Sequence, residues 1–210
     1  MAYALQTFYK KILADTITPV SVYLKIRDQF PGSILLESSD YHANDNSFSY
    51  ICCNPIASLK VQGETLSFRY PNGTLEDRNI TEKTDIPGEI HHFAARFQAE
   101  DHDFKFITNG LFGYTAYDAV RYFEDIDIRP KENSPDIPDI YYAVYQNVIA
   151  INHFKNEAYI FSHSYTGENN IPFLEQLLSV QTFASYRFKR EGVQESNLQD
   201  AEYLEHVALA

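Results

Sequence analysis

Glu37 and Ser38 close an apolar run in the stretch SILLESSDYH, residues 33–42, and their side chains are of the kinds that hold a charged small molecule. Side chains alternate along an extended strand, so Leu36 and Ser38 share one face while Leu35 and Glu37 share the other. A hydroxyl can donate to a carboxylate, a carboxylate can face an ammonium, and leucines can wall an apolar body. A free amino acid requires that set of groups. The same residues also suit a strand that simply surfaces into water, and spacing alone leaves both readings open.

Other residues with chemical potential offer less. The only cysteines, Cys52 and Cys53, are adjacent. Strand neighbours point to opposite faces, so the pair reads as reduced structural thiols and neither a shared metal site nor a disulfide. His91 and His92 are adjacent on an expected helix, about 100° apart, and cannot hold one metal from one face. Asp101-His102-Asp103 reads as a solvated acidic loop. GLFGYTAYDAVRYFE, residues 110–124, has glycines but no lysine or hydroxyl residue at phosphate-loop spacing, so no nucleotide cradle is expected there. Gly110 and Gly113 are expected to permit close packing, and Arg121 can pair with Asp118 or Glu124 on a helix face. The segment reads as structural, shaping a junction with further chain. No Ser-His-Asp, Cys-His or paired-carboxylate arrangement stands out.

The elements that position these residues follow from 210 residues with 44% hydrophobic and 15% aromatic content, no tryptophan and a net charge of −12. Such a charge repels phosphate backbones and anionic membranes, so no nucleic acid and no membrane is expected as a partner. No basic leader precedes an apolar segment, no run reaches spanning length, and a cytoplasmic protein is expected. Residues 5–13 read as a strand. Thr18-Pro19 then opens a helix whose Val22, Ile26 and Phe30 recur on one face, and Pro31-Gly32 ends it. Strands follow at 33–38, 47–53, 57–62 and 65–70, with a turn at Pro71-Asn72-Gly73. A second helix is expected around Ile90–Phe97, a hairpin from strands at 140–151 and 158–162, and a third helix at 171–179. The pattern predicts an α+β fold, with antiparallel strands in two packed sheets and flanking helices. After Ser185 the chain turns polar, then starts a helix with Tyr203, Val207 and Ala210 close to one face. A helix stopping there without a cap predicts a chain that continues past residue 210.

Three stretches together, TPVSVYLKIRDQFPGSILLESSD (18–40), GLFGYTAYDAVRYFE (110–124) and SNLQDAEYLEHVALA (196–210), resemble the large subunit of anthranilate synthase, component I. The resemblance runs over essentially the whole chain in the expected order. Aminobenzoate synthase large subunits share much of it, and a free-standing binding module is the alternative from another class.

The resemblance implies an enzyme, a lyase that converts chorismate and ammonia to anthranilate and pyruvate. It implies that residues 1–190 form the regulatory N-terminal domain, and that 191–210 are the linker and first helix of a C-terminal chorismate-binding domain. It further implies that magnesium serves the full-length enzyme and no cofactor sits in this stretch, which alone would be inactive. Ammonia would come from a glutamine amidotransferase subunit. Tryptophan would be the feedback inhibitor, with Leu36, Glu37 and Ser38 on the inhibitor-contacting positions. One departure stands out: where many members carry arginine before the next strand, this chain has Ser47.

Overall fold

The computed structural model describes residues 2–37, 47–100, 102–126, 128, 136–180, 189, 191–192, 196 and 198–209. Its spine is a pair of long antiparallel strands, β3 (Phe48–Gln62) and β8 (Ile140–Asn152), in register from Phe48↔Asn152 to Val61↔Ile140. Every position of β8 from Ala143 to Asn152 is buried. That explains its lack of apolar alternation, because both faces of the strand are covered.

Seven shorter strands complete the sheet: β1 (Tyr3–Leu13), β2 (Ile34–Leu36), β4 (Thr65–Arg69), β5 (Leu75–Asn79), β6 (Phe97–Ala99), β7 (Phe112–Thr115) and β9 (Glu157–Ser164). The order is β5-β4-β3-β8-β9-β1-β6, with β2 added beside β3 and β7 beside β8. The pairs are antiparallel except β1–β6, which is parallel. The α+β class is as expected. The two separate packed sheets are not found, because the strands join in one nine-stranded sheet.

The cause lies at Asn54-Pro55. That dipeptide reads as a turn, which would divide β3 into strands at 47–53 and 57–62. Instead Asn54 adopts a φ of 59°, the register shifts between Pro55 and Ala57, and the strand continues. A bulge tolerates proline, which has no ladder N–H to give, and bends the strand. The curled sheet then folds distant strands onto a common core. Tyr3 and Leu5 of β1 share one cluster with Leu59 and Val61 of β3 and Leu66 and Phe68 of β4. The Tyr3 ring stacks on Tyr70 at 5.7 Å. One sheet thus supplies the layered core expected of two.

Helices cover what remains. α1 (Pro19–Ile26) starts at Thr18, which forms a reciprocal capping box with Ser21, and buries Val22 and Ile26. α3 (Ile171–Ser179) lies against it, and Phe30 and Phe173 meet edge to face at 5.9 Å. Both cap a cluster containing Ile51, Cys53, Ile149 and Ile160. The opposite face of the same strands packs Cys52, Val148 and Phe161 under Phe104 and Phe106. α2 (Ile86–Ala94) begins before the expected Ile90, because the Asp85 carboxylate accepts from the Gly88 N–H and caps it there. α4 (Asp200–Leu209) has no buried residue. Among the described residues, no helix is long and apolar enough to cross a membrane.

In the glycine-rich segment the two glycines differ in what they permit. Gly113 lies in β7 opposite Tyr142, where a β-carbon would collide with the Tyr141 carbonyl. Gly110 serves differently: its surroundings are open, and its φ of 141° is what demands glycine. Residues Tyr117–Tyr122 form a 3-10 helix, and Arg121 pairs neither with the Asp118 carboxylate nor with Glu124 as expected. Its Nη2 meets Asp139 Oδ2 at 2.8 Å, and its Nη1 donates to the Asp118 main-chain oxygen. The tighter turn redirects the side chain to the start of β8.

Candidate functional site

β2 is short but firmly placed. It pairs with β3 at Ile34↔Cys52, Leu35↔Ile51 and Leu36↔Tyr50. Alternation sends Leu35 into the cluster under α1 and α3, and Ile34 into the cluster on the other face. Leu36 shares the Ile34 face but stands 38% exposed at the strand's end. Glu37 follows it and is exposed. Ser38 lies outside the described residues, so the sequence-predicted trio is placed only as Leu36 and Glu37.

The neighbours of these two residues differ sharply by face. On the Leu36 side, Phe48 stacks on Phe106 at 4.7 Å and on Tyr50 at 6.1 Å, and Tyr50 leans on Phe112 at 6.2 Å. Leu36, paired with Tyr50, therefore stands beside this row of packed rings. Burial pushes the Tyr50 hydroxyl above its ordinary range, against a hydrogen bond with the Ile107 backbone. It stays a neutral phenol at any ordinary pH.

On the other side, continuing the β2–β3 register by one step sets Glu37 opposite Ser49. Ser49 is 1% exposed, and its Oγ lies 2.7 Å from His153 Nε2. The His153 main-chain N–H donates to the Ser47 carbonyl at 3.1 Å, which holds the backbone carrying that imidazole against the start of β3. The register thus brings Glu37 to the same face of the sheet as the Ser49–His153 pair. Together they can accept from an ammonium or donate to a carboxylate. Ser49 and His153 were missed in the sequence, and the usable signal was a serine at an inward position of an otherwise apolar SFSYICC strand.

Elsewhere the sequence reading is refined. Cys52 and Cys53 do face opposite sides of the sheet, and both are fully buried. Burial pushes the Cys53 thiol up to about 12 and the Cys52 thiol higher still, so neither is a nucleophile. His102 is not simply solvated: its ring stands edge-on to Tyr9 at 5.2 Å. His163, which carried no sequence signal, is buried with Nε2 2.8 Å from the Thr108 carbonyl and Nδ1 3.0 Å from Thr7 Oγ1. A carbonyl only accepts, so Nε2 holds the proton and Nδ1 receives the Thr7 hydroxyl. Among the described residues, no group of three or more His, Cys, Asp or Glu side chains could hold a metal ion.

Residues 33–210 match the family described as chorismate binding enzyme. The chain belongs to that family. Similar proteins include anthranilate synthase component 1 of Acinetobacter calcoaceticus, 26% identical over 81% of this chain and 36% of that protein. The same component of Lactococcus lactis is 29% identical over 72% of this chain and 31% of that protein. A crystal structure of anthranilate synthase component I from Streptococcus pneumoniae aligns over 80% of this chain and 35% of that one, with TM-score 0.46 and 20% identity. The chain spans about a third of the length of the relatives it matches, 36% and 31% in the two cases above.

Proposed function

We propose that this chain is the N-terminal regulatory portion of an anthranilate synthase component 1. In this reading residues 1–190 form the regulatory domain, and 191–210 lead into a chorismate-binding domain. The full polypeptide, in the cytoplasm, converts chorismate and ammonia to anthranilate and pyruvate. Magnesium acts in the remaining two-thirds of that polypeptide, and an amidotransferase subunit, component II, delivers ammonia from glutamine.

The observation that carries the reading is the strand end at Leu36-Glu37. It sets the Glu37 carboxylate on the same face as the Ser49–His153 pair, with Leu36 and its neighbouring rings on the opposite face. An amino acid such as tryptophan asks for a counter-charge for its ammonium and donors for its carboxylate, which the Glu37 face offers. The resemblance in LLES and the similarity to anthranilate synthase components support the same conclusion. Ser47 cannot make the ionic contact of an arginine, and the Ser49–His153 pair is the neighbouring source of polar contacts.

The experiment is an assay of the full-length polypeptide with chorismate, magnesium and ammonium, with and without tryptophan. Anthranilate formation that tryptophan suppresses is expected. Formation of 4-aminobenzoate in its place, or indifference to tryptophan, would overturn the reading.

A further inference from the structure

A separate cleft opens where the end of β1 meets α1 and the end of α3. Its volume is about 570 Å³, and Ile12, Leu13, Ile17, Leu178 and Val180 form its apolar walls. It shares no lining residue with the strand end at Leu36-Glu37. Two of those walls face open solvent, with Leu13 69% and Val180 44% exposed. Apolar surface left open around a concavity marks a binding place more often than bare surface does.

The cleft's charged groups decide what would bind. Lys25 from α1 and Glu175 from α3 both line it. Glu175 is already held by Lys10, Nζ to Oε1 at 2.6 Å, so its charge is matched. Lys25 is half-buried, and among the described residues its ammonium gives one hydrogen bond, at 2.7 Å, to the Leu178 carbonyl at the end of α3. That bond fixes the ammonium against the cleft wall, while its other N–H donors remain to serve a ligand. Thr16 adds a hydroxyl nearby. The chain's net charge of −12 opposes anions overall. Its distant members are screened beyond about 8 Å at physiological salt, so the local lysine governs.

We propose that this cleft binds a small organic carboxylate with an apolar body, its carboxylate on Lys25 and its body against Ile12, Ile17 and Leu178. The proposal is independent of the tryptophan reading, since the two places share no residue.

The test titrates 3-phenylpropionate into the isotope-labelled 210-residue chain and follows amide chemical shifts. Saturable shifts at residues 12–17, Lys25 and 178–180 are expected. The neutral analogue 3-phenylpropionamide should bind roughly tenfold to hundredfold more weakly, the loss expected when a charged hydrogen bond is removed. Lys25→Gln should show the same loss and Lys25→Arg should retain binding. Equal response to acid and amide, no saturable shift in the cleft, or shifts confined to Leu36, Ser49 and Tyr50 would each overturn the proposal. The acid–amide comparison uses the unmutated chain, so it decides the matter even if Lys25→Gln, which also loses the cap on α3, fails to fold.

Discussion

Ser49 Oγ and His153 Nε2 lie 2.7 Å apart across 104 residues of chain, and they do so at the place where the β2 register delivers Glu37. The hydroxyl is buried and the imidazole exposed, so the pair links the strand interior to the open sheet edge.

Substituting the strand end in the full-length polypeptide should weaken tryptophan inhibition. In the proposed site Glu37→Ala, Ser38→Ala or Ser49→Ala would each remove a hydrogen bond to a charged ligand group, worth roughly 1.5–3 kcal/mol. The inhibition midpoint should rise about tenfold to hundredfold, with turnover in the absence of tryptophan nearly unchanged, because the coupling acts between distinct sites. Midpoints equal to the parent in all three variants would mean that β2 merely surfaces there.

The 210-residue chain alone should make no anthranilate from chorismate, magnesium and ammonium. The reaction calls for groups that hold the substrate and move protons beside its ring, and the proposal puts them in the rest of the polypeptide. Anthranilate fluorescence above a blank from the purified chain would contradict this.

His163 should make stability fall in mild acid. Burial lowers its pKa from 6.5, opposed by the hydrogen bond to the Thr108 carbonyl, so the folded chain binds this proton less readily than the unfolded one. Its contribution is complete above the unfolded value of 6.5 and declines as pH drops below it toward the folded value. Thermal midpoints measured from pH 7.5 downward should decline more steeply for the parent than for His163→Gln. Parallel curves would show that this imidazole is not the cause.

Core and close-contact changes should separate cleanly in urea titrations. Ile149→Ala empties part of the cluster under α1 and α3 and should cost about 2–5 kcal/mol. Gly113→Ala forces a methyl group onto the Tyr141 carbonyl and should cost roughly 1–3 kcal/mol or more through strain. A neutral result at Gly113 would place β7 farther from β8 than described.

Cys52 and Cys53 should resist a thiol-specific chromogenic reagent in the folded chain and react in urea. Both are fully buried with raised thiol pKa values. Fast reaction without denaturant would mean that the strand opens locally.

Local chemistry made much of the architecture legible. Thr18-Pro19 opens α1 as expected because capping is decided within a few residues, whereas the helix ends at Ile26, ahead of the expected stop at Pro31-Gly32. The two faces of the adjacent cysteines follow from the pleat alone. The apolar-to-polar step at LLES marks a strand end for the same local reason, and the α+β class follows from the succession of strands and helices. What the sequence could not decide is where chain segments distant in order come to lie. Asn54-Pro55 looks like a turn until β8 pairs along both sides of it and makes it a bulge. Arg121 finds Asp139 and not its helical neighbours, because the backbone there winds as 3-10. Ser49 acquires His153, and His163 acquires Thr7 and Thr108, only once strands far apart in sequence are set side by side. Hydrogen bonds act over about 3 Å, so the partners of a polar side chain are settled by tertiary packing, while strand pleat and helix caps are settled by the residues next door.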